Sequence, residues 1–451
     1  MKEGLFCAKM IREKSRPPTP AQIGMGGYMR RKKGKHRRGK AERRRRVVRL
    51  QRMALAAAAL VLVLVLAALR SSSGEKEGAG SGKPEREQEA VPAAALYPQT
   101  SEKPEPEGVE IQIRMVGDVI LHEDVCESCY ENGTYDFSGL FTNIREELSK
   151  ADLALVNQET ILGGEELGIF GYPQFNSPHQ EADALAGAGF NVILQATNHA
   201  LDAGVQGVDN TLQYWKNNYP GTAVLGIHQS GTEERNIYVY EKEGFRVSVL
   251  NYTYGTNVYP ELLEETGTRH LVDVLEEDMV REDIRKAKEL SDFVIVCPHW
   301  GTENSYEISQ EQRHWTDIFS DCGVDLVLGT HPHVVQPAEL VQRADGQEML
   351  VYYSLGNFVS NQESADNALG AMAQITLWKD ESGVSIREYG VRPVVTHESP
   401  EGEFTSYFLD QYTEEMAREN QILNTGETFP LEESRNRCRE IFGSLVSESA
   451  G

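Results

Sequence analysis

Cysteine is scarce, with six in 451 residues, so a disulfide framework is excluded for a chain of this size. Long apolar runs are almost missing as well; there is one, between Met53 and Leu69, which excludes a multi-span membrane protein. No internal repeat and no Gly-X-Y period is present, so solenoid and collagenous architectures fall away. Positive charge is confined: residues 1–52 hold 19 Lys/Arg against 3 Asp/Glu, net +16, which leaves 26 basic and 66 acidic residues downstream, net −40. The two parts face different surroundings. What is abundant is ordinary globular material, 40% apolar and 25% charged, enough for a large domain with appendages.

Met53–Leu69 is 17 uninterrupted apolar residues, about 26 Å as a helix, just enough for a hydrocarbon core of about 30 Å. The fourteen Lys/Arg between Arg30 and Arg52 hold that flank in the cytoplasm and place everything after Leu69 outside. A cleaved signal peptide is the competing reading. The long basic leader, the length of the apolar run and the lack of a small-x-small site after Leu69 favour an uncleaved anchor. Beside a membrane the basic block meets anionic lipid head groups, so no nucleic-acid partner is expected. Residues 70–108 are rich in Gly, Ser, Pro and Glu and read as a disordered extracellular linker. The organisation expected is a basic cytoplasmic segment 1–52, a transmembrane helix 53–69, the linker 70–108, a domain over 109–400 and acidic C-terminal helices over 401–451.

From Val109 short apolar runs alternate with helical stretches. Ile111–Val116, Leu153–Val156, Phe190–Gln195, Val247–Tyr252, Phe293–Cys297, Val324–Leu328 and Met349–Tyr353 are predicted strands. Leu140–Lys150, Gln180–Ala188, Val205–Asn217, Glu276–Leu290 and Gln310–Cys322 are predicted helices. This alternation is that of an α/β fold with buried strands. Ala371–Trp378 and Val384–Val395 follow without helices, which adds an antiparallel section. Tyr407–Glu419 and Leu431–Leu445 have helical spacing.

Polar residues fall at the strand ends. Gly117-Asp118, Asn157-Gln158-Glu159, Asn198-His199 with Asp202, His299-Trp300-Gly301-Thr302-Glu303 and Gly329-Thr330-His331-Pro332-His333 each follow an apolar run. Ligands of open α/β sheets gather at the carboxyl ends of strands, so these residues can converge although they are far apart in sequence. Carboxylates, imidazoles and an Asn amide, without Cys, suit Mn²⁺, Zn²⁺ or Fe²⁺.

These motifs, together with Tyr353-Ser354-Leu355-Gly356-Asn357-Phe358-Val359, resemble the CapA family of capsule-synthesis, poly-γ-glutamate-associated proteins, over roughly Ile111 to Val395. That family looks like an offshoot of the calcineurin-like metallophosphoesterases. The resemblance implies a metallophosphoesterase-like two-sheet sandwich flanked by helices and two divalent ions. By the same transfer Asp118 holds one ion, Glu159 bridges both, Asn198, His299 and His331 hold the second, and His333 returns to the first. His199 becomes the outer acid, although the carboxylate that usually follows such a His directly stands here three positions on, as Asp202. The Asp-x-His pair of phosphoesterases is absent, and His122 is the nearby imidazole that stands in as a candidate ligand.

The resemblance further implies an envelope protein acting on an anionic polymer or a phosphoester and open to capsule synthase subunits, while the apolar run Met53–Leu69 docks it to the membrane by one span. The competing class is a non-catalytic scaffold or polymer-binding subunit. Arg269 and Arg313 are candidate cations for a polyanion. Glu303 reads either as an outer partner of His299 or as a surface residue, and Trp300 as pocket lining or packing. Cys126 and Cys129 have disulfide-compatible spacing but no second pair, and Asn132 heads a formal glycosylation sequon.

Overall fold

The computed structural model describes residues 107–231, 236–258, 267 and 269–446, all within the compact unit Glu102–Gly451. The basic segment 1–52, the apolar run 53–69 and all but the last two residues of the linker 70–108 lie outside the described residues. Among the described residues no helix is long and apolar enough to cross a membrane.

Two mixed sheets hold most of the described strands. The eight-stranded sheet runs, in spatial order, Phe404–Phe408 (β16), Gly383–Glu398 (β15), Leu369–Asp380 (β14), Val109–Val119 (β1), Leu153–Gln158 (β4), Val192–Leu194 (β5) and Ala223–Leu225 (β6), with Asn357–Val359 (β13) paired to the end of β1. Strands β1, β4, β5 and β6 are mutually parallel, whereas β14, β15 and β16 are antiparallel. The six-stranded sheet runs Val335–Gln342 (β11), Glu348–Leu355 (β12), Leu326–Leu328 (β10), Phe293–His299 (β9), Phe245–Thr253 (β8) and Tyr238–Lys242 (β7), parallel from β12 to β8. A small hairpin, Tyr130–Glu131 (β2) with Thr134–Tyr135 (β3), turns on Asn132-Gly133, both at positive φ.

The apolar runs are continuous because the strands are covered on both faces. In β9, Phe293, Ile295 and Cys297 enter the core between the sheets, packed with Met115, Leu155 and Val249. The alternate residues Val294 and Val296 face outward and pack with Val280 and Ile284 of helix Glu277–Leu290 and with Ile318 and Phe319 of helix Gln310–Cys322. That second helix begins on a reciprocal Ser309/Gln312 cap and stops at Gly323, φ 77°. A sheet buried on both sides needs this two-sided apolar pattern.

All the predicted strands are present, and the helices Gln180–Ala188 and Gly204–Asn218 match their expected spans closely. Two expectations are corrected. Leu140–Lys150 is not one helix but a 3₁₀ turn, Ser138–Phe141, and a single α turn, Arg145–Leu148. The helix expected over Tyr407–Glu419 is replaced in its first part by β16, because Phe404, Ser406 and Phe408 alternate inward and hydrogen-bond along β15; only Glu414–Glu419 is helical. The following helix, Leu431–Phe442, puts Leu431, Cys438 and Phe442 into the same core, so the acidic tail contributes to packing.

Candidate metal centre

The parallel strands of both sheets end at one place. Asp118 closes β1, Asn157 sits opposite it on β4, and Glu159 follows at once. Asn198 and His199 follow β5, His299 ends β9, and His331 and His333 lie on the loop after β10. Main chain sets the spacing: Asp118 N donates to Gly356 O at 3.0 Å, and a Cβ on Gly117 would come within 1.8 Å of that same oxygen. A Cβ on Gly370 would meet Asn357 O at 1.9 Å. Backbone bonds between Trp300 N and Thr330 O, 3.0 Å, and between Thr330 N and Pro298 O, 3.0 Å, tie the two histidine segments together. His331 and His333 both hold positive φ, 97° and 59°, an uncommon conformation for residues with a Cβ.

The side chains interlock at ligand spacing. His333 Nδ1 lies 3.2 Å from Asp118 Oδ2, and His331 Nδ1 lies 3.2 Å from His299 Nε2. Asn198 Oδ1 is 2.9 Å from His299 Nε2. Between them Glu159 Oε1 stands 3.7 Å from His299 Nε2 and 3.8 Å from His333 Nε2. Ligands about 2.0–2.2 Å from a common ion lie roughly 3.4 Å from one another, so these separations fit divalent cations. Two groups of candidate ligands result, Asp118-Glu159-His333 and Glu159-His299-His331, sharing Glu159.

The donor set also asks for a cation. Glu159 is 1% exposed and neither carboxylate oxygen has a hydrogen-bond partner. A buried carboxylate without hydrogen bonds is costly, and burial pushes Glu159 well above the carboxylate range, with His333 pulling the other way. Burial pulls His333 down, but Glu159 and Asp118 outweigh it and hold that imidazole at about 9. The pair thus keeps a proton that a divalent ion would replace. His299 and His331 are held well below the ordinary histidine value, first by burial and then by neighbouring histidines, which keeps them in the neutral, ligating form.

Supporting residues surround this centre. Asn157 Nδ2 donates to Asp118 Oδ1 at 2.8 Å, Thr330 Oγ1 lies 3.1 Å from His299 Nδ1, and Asn357 Oδ1 lies 3.2 Å from His333 Nδ1. Asn157 and Asn357 are in the motifs without an assigned role; their signal is position, Asn157 two residues before Glu159 and Asn357 directly after Gly356. His199 stands to the side with its Nδ1 2.6 Å from Asp202 Oδ2 and its ring against the edge of Phe175.

Other sequence candidates are placed elsewhere. His122 is in neither ligand group; its Nδ1 lies 3.2 Å from Ile120 O and accepts from Asn361 N at 3.2 Å, and burial pulls it to about 4. Trp300 is fully buried, packs on the helix side and donates Nε1–H to Tyr353 O at 2.9 Å, which is the packing alternative. Arg269 is bonded to Glu276 and Arg313 to Glu339, each at 2.9 Å. Cys126 and Cys129 are both free thiols, raised by burial, Cys129 to about 11.

Fold and cluster together define a two-sheet α/β protein with a candidate metal centre at its strand ends. The chain belongs to the family of the bacterial capsule synthesis protein PGA_cap, whose model matches residues 112–362. The PGA biosynthesis protein CapA of Bacillus subtilis is 30% identical over 212 residues, 47% of this chain and 52% of that protein. The capsule biosynthesis protein CapA of Bacillus anthracis is 27% identical over 298 residues, 61% of this chain and 68% of that protein. The chain thus spans about half the length of the B. subtilis relative. Among solved structures, the calcineurin-like phosphoesterase YfkN of B. subtilis is 13% identical, covering 74% of this chain and 99% of that one with a TM-score of 0.38.

Proposed function

We propose that this protein is a membrane-anchored, dimetal-dependent hydrolase or transferase of the cell envelope, acting in capsule or poly-γ-glutamate metabolism. The observation that carries the catalytic part is Glu159: a buried carboxylate without a hydrogen-bond partner, one oxygen of which lies under 4 Å from histidines of both ligand groups. Family membership and the names of the two Bacillus relatives support the capsule setting.

In this reading Asp118, Glu159 and His333 would hold one ion and Glu159, Asn198, His299 and His331 the other, and such ions would supply Lewis acidity toward water and the electrophile's oxygens. Asn157 and Asn357 orient Asp118 and His333. A hydrogen bond from His199 Nδ1–H to Asp202 would orient the ring, and its protonated form would pass the Nε2 proton to a departing oxygen or nitrogen. Phe175, whose N–H also donates to Asp202 at 2.8 Å, keeps the ring from rotating away.

The test is elemental analysis of the purified chain followed by parallel assays on phosphomonoesters, phosphodiesters and γ-glutamyl polymer. Two divalent ions per chain and metal-dependent turnover of one substrate class are expected. A metal-free protein that binds polymer without changing it would replace this reading with the scaffold.

A further inference from the structure

Each ligand group has an amide oxygen beside it, Asn198 Oδ1 at 2.9 Å from His299 Nε2 and Asn357 Oδ1 at 3.2 Å from His333 Nδ1. A third group is present, Glu303-His331-His333, whose ligand atoms all lie within 4.8 Å of one another. It shares His333 with the first group and His331 with the second, so Glu303 stands on the side common to both. Glu303 is the exposed member of this group, and the Tyr254 ring lies 4.7 Å from that of His331.

The placement of Glu303 is built into the fold. Gly301 turns the chain after β9 at φ 96°, with the Gln312 side chain filling the space where a Cβ would stand. The next residue after Glu303, Asn304, takes φ 58° and donates its N–H to Pro332 O, between the two histidines, at 2.8 Å. Asn304 Oδ1 accepts from Asn367 Nδ2 at 2.7 Å, and the same Asn367 nitrogen donates to His333 O at 3.2 Å. The main chain on the C-terminal side of Glu303 is therefore clamped to the histidine loop at two points. A solvated surface glutamate has no need of such anchoring.

We propose that Glu303 is a metal ligand that acts with His331 and His333, closing the centre from its solvent side. This rests on the dimetal reading above. It adds a protein donor on the side common to both positions, supplied by an exposed carboxylate. Such a ligand returns to water at little cost when an ion departs.

The experiment uses the full chain, stripped with chelator and titrated with Mn²⁺ by calorimetry, with ion content after gel filtration and the Mn²⁺ spin-resonance spectrum as independent readouts. Wild type is expected to bind two ions and show a spin-coupled pair. Glu303→Gln should keep one ion and weaken the other by at least the roughly 10–100-fold that even outer partners of a metal site cost. The coupled spectrum should give way to that of an isolated ion, and Glu303→Asp should recover part of the loss. Glu307→Gln removes the same charge from the same loop and should bind as wild type, which separates ligation from long-range attraction. Two ions held by Glu303→Gln with wild-type affinity would overturn the assignment while leaving the dimetal reading intact. Loss of both ions together would show that Glu303 supports the fold of the centre and would overturn ligation of a single ion. A wild-type chain that binds no ion would overturn the dimetal reading itself.

Discussion

His199 Nδ1 meets Asp202 Oδ2 at 2.6 Å across a single turn of the β5 loop, although the two are three residues apart. The turn supplies what adjacency supplies in other proteins. His199→Ala should therefore keep its metals and lose its proton donor. Turnover is expected to fall on the order of 10²–10⁴ for esters with poor leaving groups and far less for good ones. A leaving-group series on aryl esters checks this, and loss of metal from the variant would make His199 a ligand instead.

Glu159→Gln should be the most damaging single change to ion content. The amide keeps the shape but removes the charge shared by both ligand groups, so metal analysis should find the centre empty or half filled. Wild-type ion content in this variant would sink the bridging role.

Glu181, in helix Gln180–Ala188, is fully buried, and burial pushes its carboxyl up to about 8 against the pull of Ser177, Gln158 and Thr160. The neutral form is the one the fold prefers. Its contribution is therefore full below the unfolded value near 4.5 and is lost as pH rises through 8. Glu181→Gln and wild type should melt alike near pH 5, and by pH 9 the variant should be the more stable by a few kcal/mol, on the order expected for such a shift. Parallel pH profiles of both proteins would refute this.

Phe358 is fully buried beside the site loop, stacked on Phe141 at 5.6 Å and edge-on to Phe190 at 6.1 Å. Phe358→Ala should cost about 3–5 kcal/mol, the usual range for emptying such a position, in a denaturant melt. A cost under about 1 kcal/mol would mean the cavity collapses freely.

The membrane reading rests on the sequence and has its own test. Protease added outside spheroplasts should digest residues after Leu69 and spare the basic leader. Protection of the large domain would defeat the orientation.

Legibility in the sequence followed burial. Strands such as β9 and β12 are covered on both faces, so their composition alone betrays them, and ligands at their carboxyl ends could be lined up before any contact was known. β16 was hidden because Phe404, Tyr407 and Phe408 fit a helical spacing as well as a strand's; only the neighbouring β15 decides. Leu140–Lys150 was misread because its apolar residues serve two short turns. At the site, Asp118, Glu159, His299, His331 and His333 could be named from motif position. Glu303 looked like a neighbour of His299, since chain proximity says nothing about the Asn304–Pro332 bond that carries it to the other histidines.

The glycines at 117, 356 and 370 give the centre a property that no ligand gives it. Where they touch, main chain rests on main chain, so the width of the cleft does not depend on which side chains point into it. Ligand identity can drift over evolutionary time while the cleft endures. A lineage can trade one metal for another, or surrender chemistry and keep a well-shaped recess for binding, without relearning how to fold. By the same logic a single methyl group at position 117 should be harder to tolerate than the loss of any one histidine.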